Sequence, residues 1–149
     1  DFPGQPYSVS VLKAGYCVPQ SDGTFRADGT ITLITGPRTV LVDTGGPWDR
    51  DFLLRTLKER GLEPGDVNVV VGTHGHSDHV GNLSVFPAAE MIVGYDVSDG
   101  DTYRPNKLSE GQSYSIDEHV RDTDRSLTRK LWTSSSYFVP SEGLKTGLN

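Results

Sequence analysis

Four side chains that can bind a metal ion lie within six consecutive residues of the segment Thr73-His74-Gly75-His76-Ser77-Asp78-His79. Zinc in proteins is bound by imidazole nitrogen and carboxylate oxygen. In an extended segment residues i and i+2 point to the same side, so His74 and His76 are predicted to hold one ion. If a helix begins near Asp78, then Asp78 and His79 turn toward a second ion. The sequence therefore predicts a site for one or two zinc ions.

A cluster of histidines can also be a solvated turn or an affinity tag. Tags are homopolymeric and terminal, whereas this cluster follows an apolar run and precedes a short predicted helix. That context favours the metal site. Zinc lowers the pKa of bound water to roughly 7, which makes a nucleophile available at neutral pH. Asp78 is the predicted catalytic residue, because a carboxylate can both ligate the metal and orient that water.

Asp43 follows an apolar strand and precedes two glycines. It is either an outer acceptor that fixes the metal segment or the cap of an Asx turn, and spacing alone favours the cap. Trp48 is expected in the core rather than in a pocket. His119 is expected at the surface and not on a metal, and Cys17 has no basic neighbour that would activate it.

The pattern of apolar residues predicts the elements that must position these side chains. Strands are predicted over residues 7–12, 30–35, 39–42, 67–71, 90–94 and 113–116, and helices over 49–60 and 80–86. The alternation of strand and helix indicates an α/β layered domain. The run at 67–71 is typical of a strand covered on both faces. This chain, however, is expected to supply only one sheet with one helix layer, which would leave the second face open.

Composition limits the class of protein. With 149 residues, the chain has the size of about one domain. It has one cysteine and no apolar run of membrane-spanning length, which favours a cytosolic protein with no membrane partner; residence in the nucleus is added only by the family resemblance given below. The formal charge of −6 disfavours long-range attraction of nucleic acid. The composition changes after residue 120, so residues 1–120 are predicted to form the domain and residues 121–149 an atypical, disordered tail.

The segment His74-Gly75-His76-Ser77-Asp78-His79 resembles the HxHxDH signature of the metallo-β-lactamase superfamily, and Leu41-Val42-Asp43-Thr44-Gly45 resembles its upstream strand motif. A narrower subgroup of that superfamily is similar at residues 26–30, 41–48, 70–82, 86–87 and 110–112. The resemblance covers residues 6–120.

The resemblance implies a four-layer αββα sandwich, of which this chain has the N-terminal half. It also implies a di-zinc site, with His74 and His76 on the first ion and Asp78 and His79 on the second. The family pattern continues with a third histidine in a Thr-Pro-Gly-His-type loop, a bridging aspartate and a final histidine, which do not follow here. The chain is therefore expected to supply only part of the ligands, and so to be marginally stable and to bind zinc weakly.

The subgroup implies a phosphodiesterase, an endoribonuclease that matures the three-prime ends of histone pre-mRNA, with RNA as partner. A thioesterase or lactonase of the glyoxalase II kind would use the same ligands on an acyl carbon. A truncated, non-catalytic product is the third alternative. A homodimer is retained as one oligomeric alternative.

Overall fold

The structure, a computed structural model, describes residues 1–105 and 113–123. Its strands and helices, in chain order, are β1 (Ser8–Lys13), β2 (Tyr16–Pro19), β3 (Phe25–Asp28), β4 (Ile31–Thr35), β5 (Val40–Val42), α1 (Arg50–Glu59), β6 (Val69–Gly72), α2 (Ser77–Val80), β7 (Glu90–Val93), β8 (Asp96–Asp99), β9 (Thr102–Tyr103), β10 (Ser113–Ser115) and β11 (Arg121–Thr123). Short 3₁₀ turns lie at Pro47–Asp49, Pro64–Asp66 and Leu83–Val85.

A seven-stranded mixed sheet in the order β1-β4-β5-β6-β7-β8-β9 organises the fold. The central strands β5, β6 and β7 are parallel, and the outer pairs are antiparallel. Helix α1 lies in the connection between β5 and β6, as expected for parallel neighbours. Because β5 and β6 run in the same direction, the residues that follow them meet at one edge of the sheet. This edge carries both Asp43 and residues 73–79, called the histidine segment below.

One face of the sheet packs against α1. Leu53 and Leu57 of the helix, like Val70 of β6 and Phe86, have no exposed surface. The apolar positions of α1 recur at helical spacing, which is why the helix predicted over 49–60 forms at nearly that place. The predicted α/β class is confirmed.

The other face of β6 is also covered, which corrects the expectation that it would lie open. Val69 and Val71 are buried in a second apolar cluster with Ile92, Val97 and Ile116. Tyr114 and Val120 pack against the same cluster. The cover comes from the β10–β11 hairpin, of which the strand predicted over 113–116 is the first half; its partner β11 was not predicted, because it has three residues and lies beyond the predicted end of the domain.

The hairpin crosses the predicted end of the domain. Residues Arg121–Thr123, the first three of the predicted disordered tail, form β11 and pair with β10. The remainder of that tail, residues 124–149, lies outside the described residues. Within the described ranges, no helix is long and apolar enough to cross a membrane.

Four further strands were not predicted: β2, β3, β8 and β9. They have two to four residues each, and β2 is exposed along its whole length, so they lack the alternation by which strands are recognised. The helix predicted over 80–86 is replaced by α2 and a 3₁₀ turn. Asn82 leaves helical geometry because its amide and side chain bond to Thr44 and Gly46 instead of to the preceding turn.

Candidate metal centre

The parallel pair β5 and β6 brings Asp43 to the histidine segment. The Asp43 amide donates to the carbonyl of Val71 over 2.7 Å, which continues the strand pairing by one residue. Asp43 then takes a φ of 60°. Few residues other than glycine adopt this conformation, and aspartate is among the most tolerant of them. The chain thereby turns sharply and directs the carboxylate at the segment beyond β6.

The Asp43 carboxylate, 5% exposed, accepts three hydrogen bonds from the histidine segment. Oδ1 accepts from the amide of Thr73 at 2.7 Å. Oδ2 accepts from the hydroxyl of Thr73 at 2.7 Å and from Nδ1 of His79 at 2.6 Å. A carboxylate only accepts, so Nδ1 of His79 carries a proton, and in the neutral ring it is Nε2 that has the lone pair for a metal. The carboxylate thus fixes both the ring orientation and the tautomer of His79.

The imidazole rings of the segment lie against one another. The centroids of His74 and His79 are 4.0 Å apart, and those of His74 and His76 are 5.2 Å apart. Nε2 of His79 lies 3.5 Å from Oδ2 of Asp78. The structure therefore brings all four predicted ligands into one patch. His76 precedes α2 in extended conformation and Asp78 lies in its first turn, so the change from strand to helix occurs within the motif.

Electrostatics keep two of these rings neutral. Burial, followed by repulsion from His79, lowers the pKa of His74 to about 4. Burial also lowers the pKa of His76. Burial opposes protonation of His79 as well, but its hydrogen bond to Asp43 and the charges of Asp43 and Asp78 prevail and raise its pKa. Neutral imidazole is the form that binds a metal, and a metal cation at this site would displace the second ring proton of His79, the one on Nε2.

Helix α2 is held in place from its C-terminal side. Thr44 donates its amide to the carbonyl of His79 over 2.6 Å. Asn82, 3% exposed, donates its side-chain amide to the carbonyls of Thr44 and Gly46 at 2.8 and 2.7 Å. Gly81 lies so close to Gly46 that a Cβ would be 2.6 Å from its carbonyl carbon. The segment after β5 therefore anchors the helix as well as the histidines.

Several residues near the centre were missed by sequence reasoning. Lys13, Asp28 and Asp49 form a partly buried charge cluster beside α2. Trp48 is 64% exposed, which corrects its predicted place in the core, and its indole N–H lies 3.4 Å from Asp28. No local signal marks these residues, since their contacts join positions distant in sequence.

The donor set suits zinc in kind but is short in number. Histidine nitrogen and carboxylate oxygen are ordinary zinc ligands, yet a catalytic zinc has three protein ligands and this segment supplies two for each of two ions. Consistent with that shortage, no three His, Cys, Asp or Glu side chains of residues 1–105 and 113–123 converge as a group that could hold a metal ion. His119 does not complete the set. It lies near Tyr7, close to the β4–β5 turn and hence at the opposite end of the sheet.

The sequence of this chain is similar to a known protein family and to several curated proteins. The Metallo-beta-lactamase superfamily matches residues 26–140. Metallo-beta-lactamase domain-containing protein 1 of Xenopus laevis is 51% identical over 77% of this chain and 49% of its own length. The protein of the same name from Homo sapiens is 45% identical over 74% of this chain and 52% of its own length. The chain thus spans about half the length of the curated relatives it matches.

A solved structure of a metallo-beta-lactamase-like protein from Thermotoga maritima superposes with a TM-score of 0.50 at 25% identity. It covers 58% of this chain and 42% of the other. The superposition supports the predicted sandwich, of which the described residues form the sheet and helix layer on one side. The two named relatives represent the narrower subgroup that the sequence resembles.

Proposed function

We propose, from the premise that this chain belongs to the metallo-beta-lactamase superfamily, that it supplies the metal-binding segment of a zinc-dependent hydrolase. Members of this superfamily are in general metal-dependent hydrolases. His74 and His76 would hold one ion, and Asp78 and His79 the other. These assignments are proposals that rest on the chemistry of the side chains and on their proximity in one patch.

The contact between Asp43 and His79 is the observation that carries this proposal. A histidine that ligates a metal almost always donates its second ring nitrogen to a carboxylate or carbonyl. His79 makes that hydrogen bond at 2.6 Å to a nearly buried carboxylate, and its Nε2 is directed to the side where Asp78 lies. An Asx-turn cap would need Asp43 to accept from the amide of Gly45, two residues on, whereas the carboxylate accepts from Thr73 and His79. The hydrogen bond from the His79 imidazole therefore supports the proposal that Asp43 orients a metal-binding histidine without binding the metal itself.

The residues of the chain have distinct tasks in this proposal. Zinc, when bound, would supply a nucleophile from water at neutral pH and would polarise the scissile group of the substrate. Asp78, which is 17% exposed, would orient the attacking water through its carboxylate. Asp43 and Thr73 hold the His79 ring, and Gly29 and Asn82 hold the helix that carries Asp78.

For the substrate, the proposal is a phosphodiester of RNA, with the protein acting as an endoribonuclease on histone pre-mRNA three-prime ends in the nucleus or cytoplasm. Its support is the similarity to the narrower subgroup at residues 26–30, 41–48 and 70–82. The net charge of −6 gives no support of its own, so affinity for RNA would have to arise near the metal. A thioester or lactone is the alternative substrate.

A non-catalytic, metal-binding role is the second candidate. It is favoured by the count of two ligands per ion, one fewer than a catalytic zinc normally has. In that case the chain would bind zinc weakly and hydrolyse none of the substrate classes.

Metal analysis of the purified chain, followed by assays on an RNA oligonucleotide, a thioester and a lactone, tests the proposal. Zinc at one or two equivalents with turnover of RNA, lost in Asp78→Asn, is the expected result. Zinc binding without turnover would favour the non-catalytic role. Turnover of the thioester or lactone but not of RNA would favour the alternative substrate class. A chain that takes up no zinc from a zinc-buffered solution would refute the proposed function.

A further inference from the structure

Lys13, the last residue of β1, is bound by two carboxylates from different parts of the chain. Its Nζ lies 2.5 Å from Oδ2 of Asp28, at the end of β3, and 2.6 Å from Oδ2 of Asp49, in the 3₁₀ turn before α1. The three side chains are 18%, 9% and 10% exposed. Charges this far from water persist only when they are paired. Lys13 therefore ties three segments together.

The first arm of this cluster leads to one side of α2. Asp28 accepts the amide of Gly29 at 3.0 Å through its other oxygen. Gly29 lies against the helix so closely that a Cβ there would be 2.4 Å from the carbonyl oxygen of Asp78 and 3.2 Å from Cε1 of His79. The position of Asp28 thus sets the position of the backbone that abuts both residues.

The second arm leads to the other side of α2. Oδ2 of Asp49 accepts the amide of Gly46 at 2.8 Å. The Gly46 carbonyl in turn accepts from the side chain of Asn82 at 2.7 Å, and Gly81 packs on Gly46 and Pro47. Through its two carboxylate partners, Lys13 thus connects the two segments, around Gly29 and Gly46, that contact the short helix α2.

The geometry points to Lys13 as a positioning residue that, through Asp28 and Asp49, fixes α2 and with it Asp78 and His79. A four-residue helix cannot hold its own position, because helices of this length gain little from their internal hydrogen bonds. The position of α2 is set by the segments around Gly29 and Gly46. Lys13 neutralises the carboxylates of Asp28 and Asp49, which would otherwise repel each other. The part of this inference that concerns zinc rests on the proposed function.

A partly buried ion pair can also act as a simple fold stabiliser, and the test separates the two roles. Lys13→Met keeps most of the aliphatic stem and removes the charge; Lys58→Met, at an exposed lysine in the last turn of α1, is the matched control. In the metal-free protein, hydrogen exchange is expected to speed up at the amides of Thr44 and Gly81, whose hydrogen bonds join the end of α2 to the segment after β5, more than at the amides of β6. An equal change throughout the chain would mean that Lys13 only stabilises the fold.

Zinc alone is the second probe. The dissociation constant for zinc is expected to rise about tenfold in Lys13→Met, as for other losses of outer support, and to stay unchanged in Lys58→Met. The visible spectrum of the Co²⁺-substituted variant should differ from that of the parent. An unchanged affinity and spectrum, with only lower stability, would overturn the proposal.

Two outcomes call for a further variant or a separate readout. If Lys13→Met does not fold, Asp28→Asn leaves Lys13 paired with Asp49 and removes only the arm that reaches Gly29; it is expected to change the same amides in the same direction. If the parent chain binds no zinc, the proposed function fails, while the hydrogen-exchange comparison still decides the role of Lys13. Unchanged exchange at Thr44 and Gly81 in both variants would refute it.

Discussion

At the scale of single residues, Asp43 combines two properties that seldom occur together. Its backbone has a φ of 60°, which favours glycine, asparagine and aspartate, and its carboxylate accepts from Thr73 and from His79. Glycine would keep the turn and lose the acceptor. Glutamate would keep an acceptor and strain the turn. The site therefore depends on a residue that is short, anionic and tolerant of the left-handed conformation.

Asp43→Asn separates these properties, because asparagine retains the size and the backbone tolerance but lacks the charge. The zinc affinity is expected to fall about 10–100-fold, since the ring of His79 loses a charged acceptor while every proposed ligand stays in place. Competition with a chromophoric chelator measures the affinity, and Asp51→Asn, at an exposed aspartate in the first turn of α1, is the control. Equal affinities in the two variants would leave Asp43 as a turn cap only.

Two of the four histidines offer a matched comparison. His76 lies beside the other rings of the segment, whereas His119 lies near Tyr7 at the opposite end of the sheet. His76→Ala is expected to reduce the zinc content of the purified chain, and His119→Ala to leave it unchanged, because only the first removes a proposed ligand. Elemental analysis after dialysis against buffered zinc gives the answer. Equal losses in both variants would contradict the assignment of the centre.

At the scale of elements, the centre depends on close backbone contacts around α2. The helix has four residues, none of them buried, so neighbouring segments rather than a core must locate it. Gly29 abuts its first turn and Gly81 its end, each without room for a side chain. Small residues at these places serve the approach of one backbone to another.

Gly29→Ala is therefore expected to destabilise the fold by about 1–3 kcal/mol, because the added methyl group would overlap the carbonyl of Asp78 and must displace α2 or β3. Urea unfolding followed by fluorescence measures the loss. Gly65→Ala is the control, since a Cβ at Gly65 meets nothing within 4 Å. If both variants unfold at the same urea concentration, the contact between Gly29 and α2 is looser than described.

At the scale of the whole molecule, the sheet is covered on both faces by short pieces of chain. Helix α1 covers one face, and the β10–β11 hairpin covers the other with Ile116. Two longer-range contacts hold this hairpin to the far end of the sheet. Tyr7 donates its hydroxyl to Asp117, and Arg38 donates to the carbonyl of Ile116 at 2.8 Å. The second apolar cluster thus depends on residues remote from it in sequence.

Ile116→Ala is expected to cost about 2–5 kcal/mol, the range for large-to-small changes in a core, because it removes the 7% exposed side chain that caps Val69 and Val71. The free energy of unfolding in urea tests this. Val18→Ala, at a side chain that is 49% exposed on β2, should change stability little. A cost for Ile116→Ala no larger than that of the control would mean that the hairpin does not seal this face.

The sequence by itself determined the α/β class, the strand that precedes the histidines, helix α1 and the candidate ligands His74, His76, Asp78 and His79. These features were predictable because each is written in residues close together in the chain: an apolar run, a helical periodicity, a cluster of donors. The resemblance to the superfamily added the expected sandwich. The short strands β2, β3, β8, β9 and β11 and the cover of the second face were not predicted, since they lack a local period.

Only the tertiary structure decided which distant residues meet. The parallel pairing of β5 and β6 brings Asp43 to His79 across 36 positions, and the end of β1 brings Lys13 to Asp49 across another 36. Spacing could not distinguish the outer support from the turn cap at Asp43, because both need an aspartate at the end of a strand. The partner of a side chain is set by strand order and burial, and these are properties of the folded chain as a whole.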